Sequence, residues 1–186
     1  MMDSRVKTLA KNLIRYSLKL KAGEKVLIET RGLDIPLVRE LIKEAYAVGG
    51  LPFVNLKEPR IDRAIIEGCS KEQLELMYKW EEERMLAMDC YIGIRLPENA
   101  YEETGINFEK MELYNALYDR KLLMEVHCPT TRWVVLRYPT PAMAQAAQMG
   151  TDDFEDFYFN VCCLDYEKMS RAMDPLKALM YRTDKV

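Results

Sequence analysis

The sequence predicts an α/β fold, a three-layer sandwich in which a mainly parallel sheet of four or more strands carries helices on both faces. Three observations predict it. Four short apolar runs stand at 25–30, 51–57, 90–96 and 132–137. Each gap between them holds a helical pattern, and a crossover of that kind joins parallel neighbours. The chain has 186 residues, 49% apolar and 31% charged, which suits one globular domain with a real core rather than a disordered chain. Such crossovers are right-handed, so the expected arrangement is of flavodoxin or Rossmann type. No repeat, linker or low-complexity stretch interrupts 1–186, which reads as a single domain.

The elements follow in order. Residues 4–19 carry Val6, Leu9, Leu13 and Ile14 at spacings of three and four, which predicts an amphipathic helix with Ser4 as its cap. The turn at 21–24 leads into the first strand, and Gly32 breaks it. Asp34 is placed to cap a second helix with Ile35, Val38, Leu41, Ile42 and Ala45 on one face, and Gly49-Gly50 ends it. Pro36 falls in its first turn, where a missing N–H costs little. The second strand, 51–57, tolerates Pro52 near its start. A short helix is expected at 60–67, and Ser70-Lys71-Glu72-Gln73 is a capping-box pattern opening a longer one to about 88.

After the third strand, 97–107 is a polar loop and 108–121 a helix. Trp133-Val134-Val135-Leu136-Arg137 is strongly β in composition and forms the fourth strand. Thr140 caps a helix with Pro141 at its first position, running to Gly150. Thr151 caps the next, with Asp152 and Asp153 in its first turn. The last helix starts near Asp165, and Asp174-Pro175 kinks or restarts it.

Composition excludes several function classes. Lys and Arg total 27 against 30 Asp and Glu, and a net charge of −3 argues against a general nucleic-acid binder or an anionic-membrane binder. No stretch approaches a membrane span, and the amino terminus has no apolar segment of signal-peptide type, so the expected compartment is the cytoplasm. Five cysteines, odd in number and without a CxxC, do not make a disulfide framework or a zinc ribbon. They read as buried or idle thiols. The 12 methionines and 11 tyrosines read mostly as packing. GxGxxG, GxxxxGK[ST], HExxH and GxSxG are all absent, which removes the common dinucleotide, P-loop, zinc-protease and serine-elbow signatures.

His127 is the one histidine, so neither a His-rich metal site nor a triad can be built without it. Its setting, Glu125-Val126-His127-Cys128-Pro129, reads as a surface or loop position rather than a catalytic one, and an independent enzyme built on His127 and a cysteine is disfavoured. One constellation points to binding. In parallel α/β sheets, ligands sit beyond the carboxyl ends of the strands. Arg31, Arg60, Arg95 and Arg137 stand at those ends and form a candidate ligand-binding rim for an anion or carboxylate. The competing reading is ion pairing with Glu29, Glu58 and Glu98 or with a partner domain.

Two segments carry a family resemblance. Trp133-Val134-Val135-Leu136-Arg137-Tyr138-Pro139-Thr140-Pro141-Ala142-Met143-Ala144-Gln145 runs on into Thr151-Asp152-Asp153-Phe154-Glu155-Asp156-Phe157-Tyr158-Phe159. It resembles the signature of the thermophilic metalloaminopeptidases of the aminopeptidase T and aminopeptidase S type. The opening Leu18-Lys19-Leu20-Lys21-Ala22-Gly23-Glu24-Lys25-Val26-Leu27-Ile28 and the ending Arg182-Thr183-Asp184-Lys185-Val186 are similar to the same family. The resemblance implies the amino-terminal α/β domain of a cytoplasmic, dimeric enzyme that releases amino-terminal residues from peptides.

In that family a carboxyl-terminal catalytic domain holds two divalent metal ions, cobalt, zinc or similar. None of its ligand motifs falls in the matched region, so no catalytic or metal residue is assigned here. The expected role is to shape peptide access and dimer contacts, and the chain alone is expected to be inactive. An apolar surface including Leu176, Leu179, Met180 and Tyr181 is expected to be exposed. The alternative is a standalone α/β module binding an anionic ligand at the arginine-lined strand ends, without nucleic acid or membrane as partner.

Overall fold

The computed structural model describes residues 3–32 and 35–185. Four strands, β1 (Lys25–Arg31), β2 (Leu51–Lys57), β3 (Cys90–Arg95) and β4 (Arg132–Arg137), form one sheet in the order β2-β1-β3-β4. Every pairing is parallel. The chain winds from β1 to β2 on one side and then crosses to β3 on the other. The topological switch point therefore lies between the carboxyl ends of β1 and β3.

Side chains alternate along each strand, and the two faces bury different helices. Val26, Ile28, Cys90, Ile92 and Ile94 pack on one side. There they meet helix α1 (Ser4–Lys11) with its π-helical continuation Asn12–Ser17, α2 (Ile35–Ala47) and α9 (Thr151–Cys162). Leu27 and Tyr91 point to the other side. They meet α3 (Pro59–Gly68), α4 (Lys71–Leu86) and a long helical segment beginning with α5 (Phe108–Tyr114). Residues such as Ile14, Ile28, Leu41, Leu74 and Ile92 are fully buried, and each contributes about 1.5–3 kcal/mol of transfer free energy.

Several expectations are corrected at the helix ends. Asp3, not Ser4, caps the first helix, its carboxylate accepting from the Arg5 amide at 2.8 Å. Asp34 lies outside the described residues. Thr151 is the first helical residue of α9 rather than its cap, because Gly150 holds the extended cap conformation. The helix after Thr140, α8 (Pro141–Ala146), ends well before Gly150. Ser70 and Thr140 do cap, accepting from the amides of Gln73 and Met143. Asp165 caps α10 (Tyr166–Met180), which runs through Pro175 without ending.

The largest difference is the segment after the polar loop. It stays helical from Phe108 to Thr130, through α5, a π segment Asn115–Asp119, α6 (Arg120–Leu122), a second π segment Leu123–His127 and α7 (Cys128–Thr130). His127 is accordingly not a loop or surface residue. It is 5% exposed, on the helix, with its ring against Tyr91.

Gly32 fixes the approach of the chain at the end of β1. Its φ is +99°, and a Cβ there would stand 2.8 Å from the Leu96 Cβ. Only glycine lets the segment after β1 lie this close to the segment after β3.

Candidate functional site

The parallel register brings four cations into one row. Arg31 pairs with Lys57 on one side and with Arg95 on the other, and Arg95 pairs with Arg137. Paired residues of parallel strands share a sheet face, with neighbours about 4.8 Å apart. The row lies on the face that carries Leu27 and Tyr91, at the carboxyl edge, across the switch point.

Beneath it sits a buried carboxylate. Glu29, 3% exposed, is two residues before Arg31 and on the same face. Its Oε2 takes Lys57 Nζ at 3.1 Å and Asn55 Nδ2 at 2.9 Å. Its Oε1 takes the Tyr91 hydroxyl at 3.1 Å and lies 3.7 Å from Arg95 Nη1. Burial pushes the Glu29 pKa up, but Lys57, Arg31 and the Asn55 hydrogen bond overcome it and hold the carboxyl at about 2.

Arg31 pairs with Asp119, which the first π segment of the long helix presents to the sheet. Asp62 on α3 feels both Lys57 and Arg31, and burial raises its pKa. The second π segment places His127 on the Tyr91 ring, centroids 4.5 Å apart. Neither ring nitrogen has a hydrogen-bond partner, and burial lowers the His127 pKa to about 4. π-Turns of this kind often mark functional positions.

Three of the four predicted arginines are brought together. Arg31, Arg95 and Arg137 line a cleft of about 470 Å³. The loop after β3 contributes Pro97, Asn99, Glu102 and Glu103, and α8 contributes Ala142 and Met143. Thr140 ties these two walls, its hydroxyl donating to the Pro97 carbonyl at 2.8 Å while capping α8. Arg63 holds the loop from below through the carbonyls of Glu102 and Thr104.

Arg60 is set apart. It is not at a strand end but in the first turn of α3, 74% exposed, with its Nε 2.9 Å from Glu58. It lines an adjoining cleft of about 300 Å³ that shares Pro59, Leu96 and Pro97 with the larger one. The residue that ends β2 is Lys57, and its position as the last residue of the 51–57 run was the available signal. Arg60 pairs with Glu58, Arg31 pairs with Asp119, and Arg95 lies 3.7 Å from Glu29. Among the described residues Arg137 makes no ion pair within 4.0 Å, and the carboxylate opposite Arg31 is Asp119.

A divalent metal does not fit this network. Among the described residues no group of three or more His, Cys, Asp and Glu side chains is arranged to hold one. Glu29 is saturated by Lys57, Asn55 and Tyr91, Asp119 is taken by Arg31, and cations crowd the space between.

The five cysteines are free thiols, and among the described residues no helix is long and apolar enough to cross a membrane. A family model described as thermophilic metalloprotease (M29) matches residues 2–183. Wild-type AmpT from Thermus thermophilus is similar in structure, with a TM-score of 0.66 at 17% sequence identity. The likeness covers 88% of this chain and 43% of that one, so this chain spans less than half the length of that protein. At that identity the likeness speaks to the fold alone. No curated protein matches the chain.

Proposed function

The chain belongs to the thermophilic metalloprotease (M29) family, a family of metal-dependent peptide hydrolases, and from that premise we propose that it is the amino-terminal, non-catalytic α/β domain of a metal-dependent aminopeptidase. In this reading the enzyme releases amino-terminal residues from peptides in the cytoplasm. The two divalent ions, cobalt, zinc or similar, are held by a carboxyl-terminal domain of the same protein. The present residues shape the access of peptide to that domain and contribute contacts within a homodimer, and the chain alone does not cleave peptides.

The observation that carries the reading is a mismatch. The family match spans 2–183, yet the described residues offer no cluster suited to a metal ion. A two-metal hydrolase needs ligands converging on ions about 3.5–4 Å apart. The carboxylates here are spread over helix caps, helix faces, loops and the Glu29 network rather than converging on one point. Imidazole suits cobalt and zinc, and His127 is the single histidine. No metal-dependent step is assigned to this chain.

The surface supports a partner domain. No residue of α10 is buried, and Leu176, Leu179, Met180 and Tyr181 are 57%, 52%, 46% and 87% exposed. A helix with that apolar face open to water is suited to a protein contact. Reading the coding frame beyond Val186 tests the proposal. A continuation rich in histidine and glutamate clusters supports it. A stop codon at that point overturns it in favour of a self-contained binding module.

A further inference from the structure

The cleft at the switch point has two walls of opposite charge, and that pairing carries an inference of its own. On the strand side the inner charges are matched: Glu29 takes Lys57 and lies near Arg95, and Arg31 takes Asp119. The cations Arg31, Lys57, Arg95 and Arg137 outnumber the carboxylates Glu29 and Asp119. Arg137 is exposed with no ion pair among the described residues, and Arg95 Nη1 is buried with no hydrogen-bond acceptor. Arg95 and Arg137 are register neighbours, and both line the cleft. A guanidinium group is well suited to receive a carboxylate, because its planar fork donates two parallel hydrogen bonds. On the loop side stand Glu102 and Glu103. Asn99 donates to the Glu102 carboxylate at 3.1 Å, whereas the Glu103 carboxylate has no hydrogen-bond or ion-pair partner among the described residues. Leu96, Ala142 and Met143 supply an apolar stretch between the walls.

We propose that this cleft binds a zwitterion of α-amino-acid type, its carboxylate on Arg137 and Arg95, its ammonium on Glu103 and its apolar side chain along Leu96, Ala142 and Met143. A simple anion such as phosphate satisfies the arginines but meets two carboxylates on the facing wall. A zwitterion satisfies both walls at once. The volume of about 470 Å³ falls in the range of small-molecule sites and accommodates a single amino acid or a short peptide. The inference stands on the cleft alone, so its failure leaves the family reading untouched, and the reverse holds.

Titration calorimetry on the 186-residue chain tests it with four probes: L-leucine, leucinamide, N-acetylleucine and inorganic phosphate. L-leucine is expected to bind saturably. Leucinamide lacks the carboxylate and N-acetylleucine the ammonium, and each is expected to bind about ten- to a hundredfold more weakly, the share of a hydrogen bond to a charged group. Arg137→Gln brings L-leucine down to the level of leucinamide. Glu103→Gln weakens L-leucine but leaves N-acetylleucine unchanged. Both positions are exposed, and equal unfolding midpoints for parent and variants establish that the fold is kept. Absence of saturable L-leucine binding overturns the proposal. Leucinamide binding as tight as L-leucine, or phosphate binding tighter than L-leucine, overturns it as well.

Discussion

His127 and Glu29 are buried within one network and respond to acid in different windows. The His127 ring is held neutral by burial, with a pKa of about 4 against an ordinary 6.5. As pH falls, the unfolded chain takes up that proton first. The stability tied to His127 is therefore complete above pH 6.5 and is lost as pH drops through 4. His127→Phe keeps the ring contact with Tyr91 and removes two unpartnered nitrogens. We expect a gain of about 1–2 kcal/mol at neutral pH, and a flatter stability profile between pH 6.5 and 4 in urea titrations. Glu29 has a depressed pKa, about 2 against 4.5, so its contribution is present above pH 4.5 and lost towards 2. Glu29→Gln leaves Lys57, Arg31 and Arg95 facing a neutral amide. It is expected to cost about 3 kcal/mol at neutral pH and to remove the acid sensitivity below 4.5. Arg31, Arg95 and Arg137 were legible in the sequence because each ends an apolar run. Asp119 and His127 were not, because they reach the sheet from a helix whose phase the sequence conceals.

Elements were legible where one periodicity persists. The four strands are short, apolar and flanked by turn residues, and a parallel sheet follows from the helices between them. The helix from Phe108 to Thr130 was read only to 121, for two reasons. Its two π segments each insert a residue into the turn, so Tyr118, Leu122 and Val126 leave a strict 3.6-residue phase. Pro129 then suggests an earlier stop, although the helical run continues through it to Thr130. Local tests follow at two element ends. Gly32→Ala must place a Cβ at φ +99° and 2.8 Å from the Leu96 Cβ. It is expected to cost about 2 kcal/mol, read as a lowered midpoint in thermal unfolding. Ser70→Ala removes the hydroxyl that accepts from the Gln73 amide at 3.1 Å and is expected to cost about 1 kcal/mol in the same assay.

The molecule as a whole has a buried central pair of strands, β1 and β3, and an open apolar helix. Because no residue of α10 is buried, Leu176→Glu with Leu179→Glu is expected to change the stability of the chain by no more than about 0.5 kcal/mol. The same pair is expected to reduce self-association in sedimentation at high protein concentration. The chain belongs to a metalloprotease family, no group of His, Cys, Asp and Glu among its described residues is arranged to hold a metal, and we infer that the metal centre is built outside this chain. Calorimetric titration of the 186-residue chain with cobalt and with zinc, run beside hydrolysis of a leucyl anilide, tests that claim most directly. The account predicts only weak, charge-driven ion binding and no turnover. Micromolar binding of a pair of ions per chain, with turnover abolished by chelator and by His127→Ala, would contradict it.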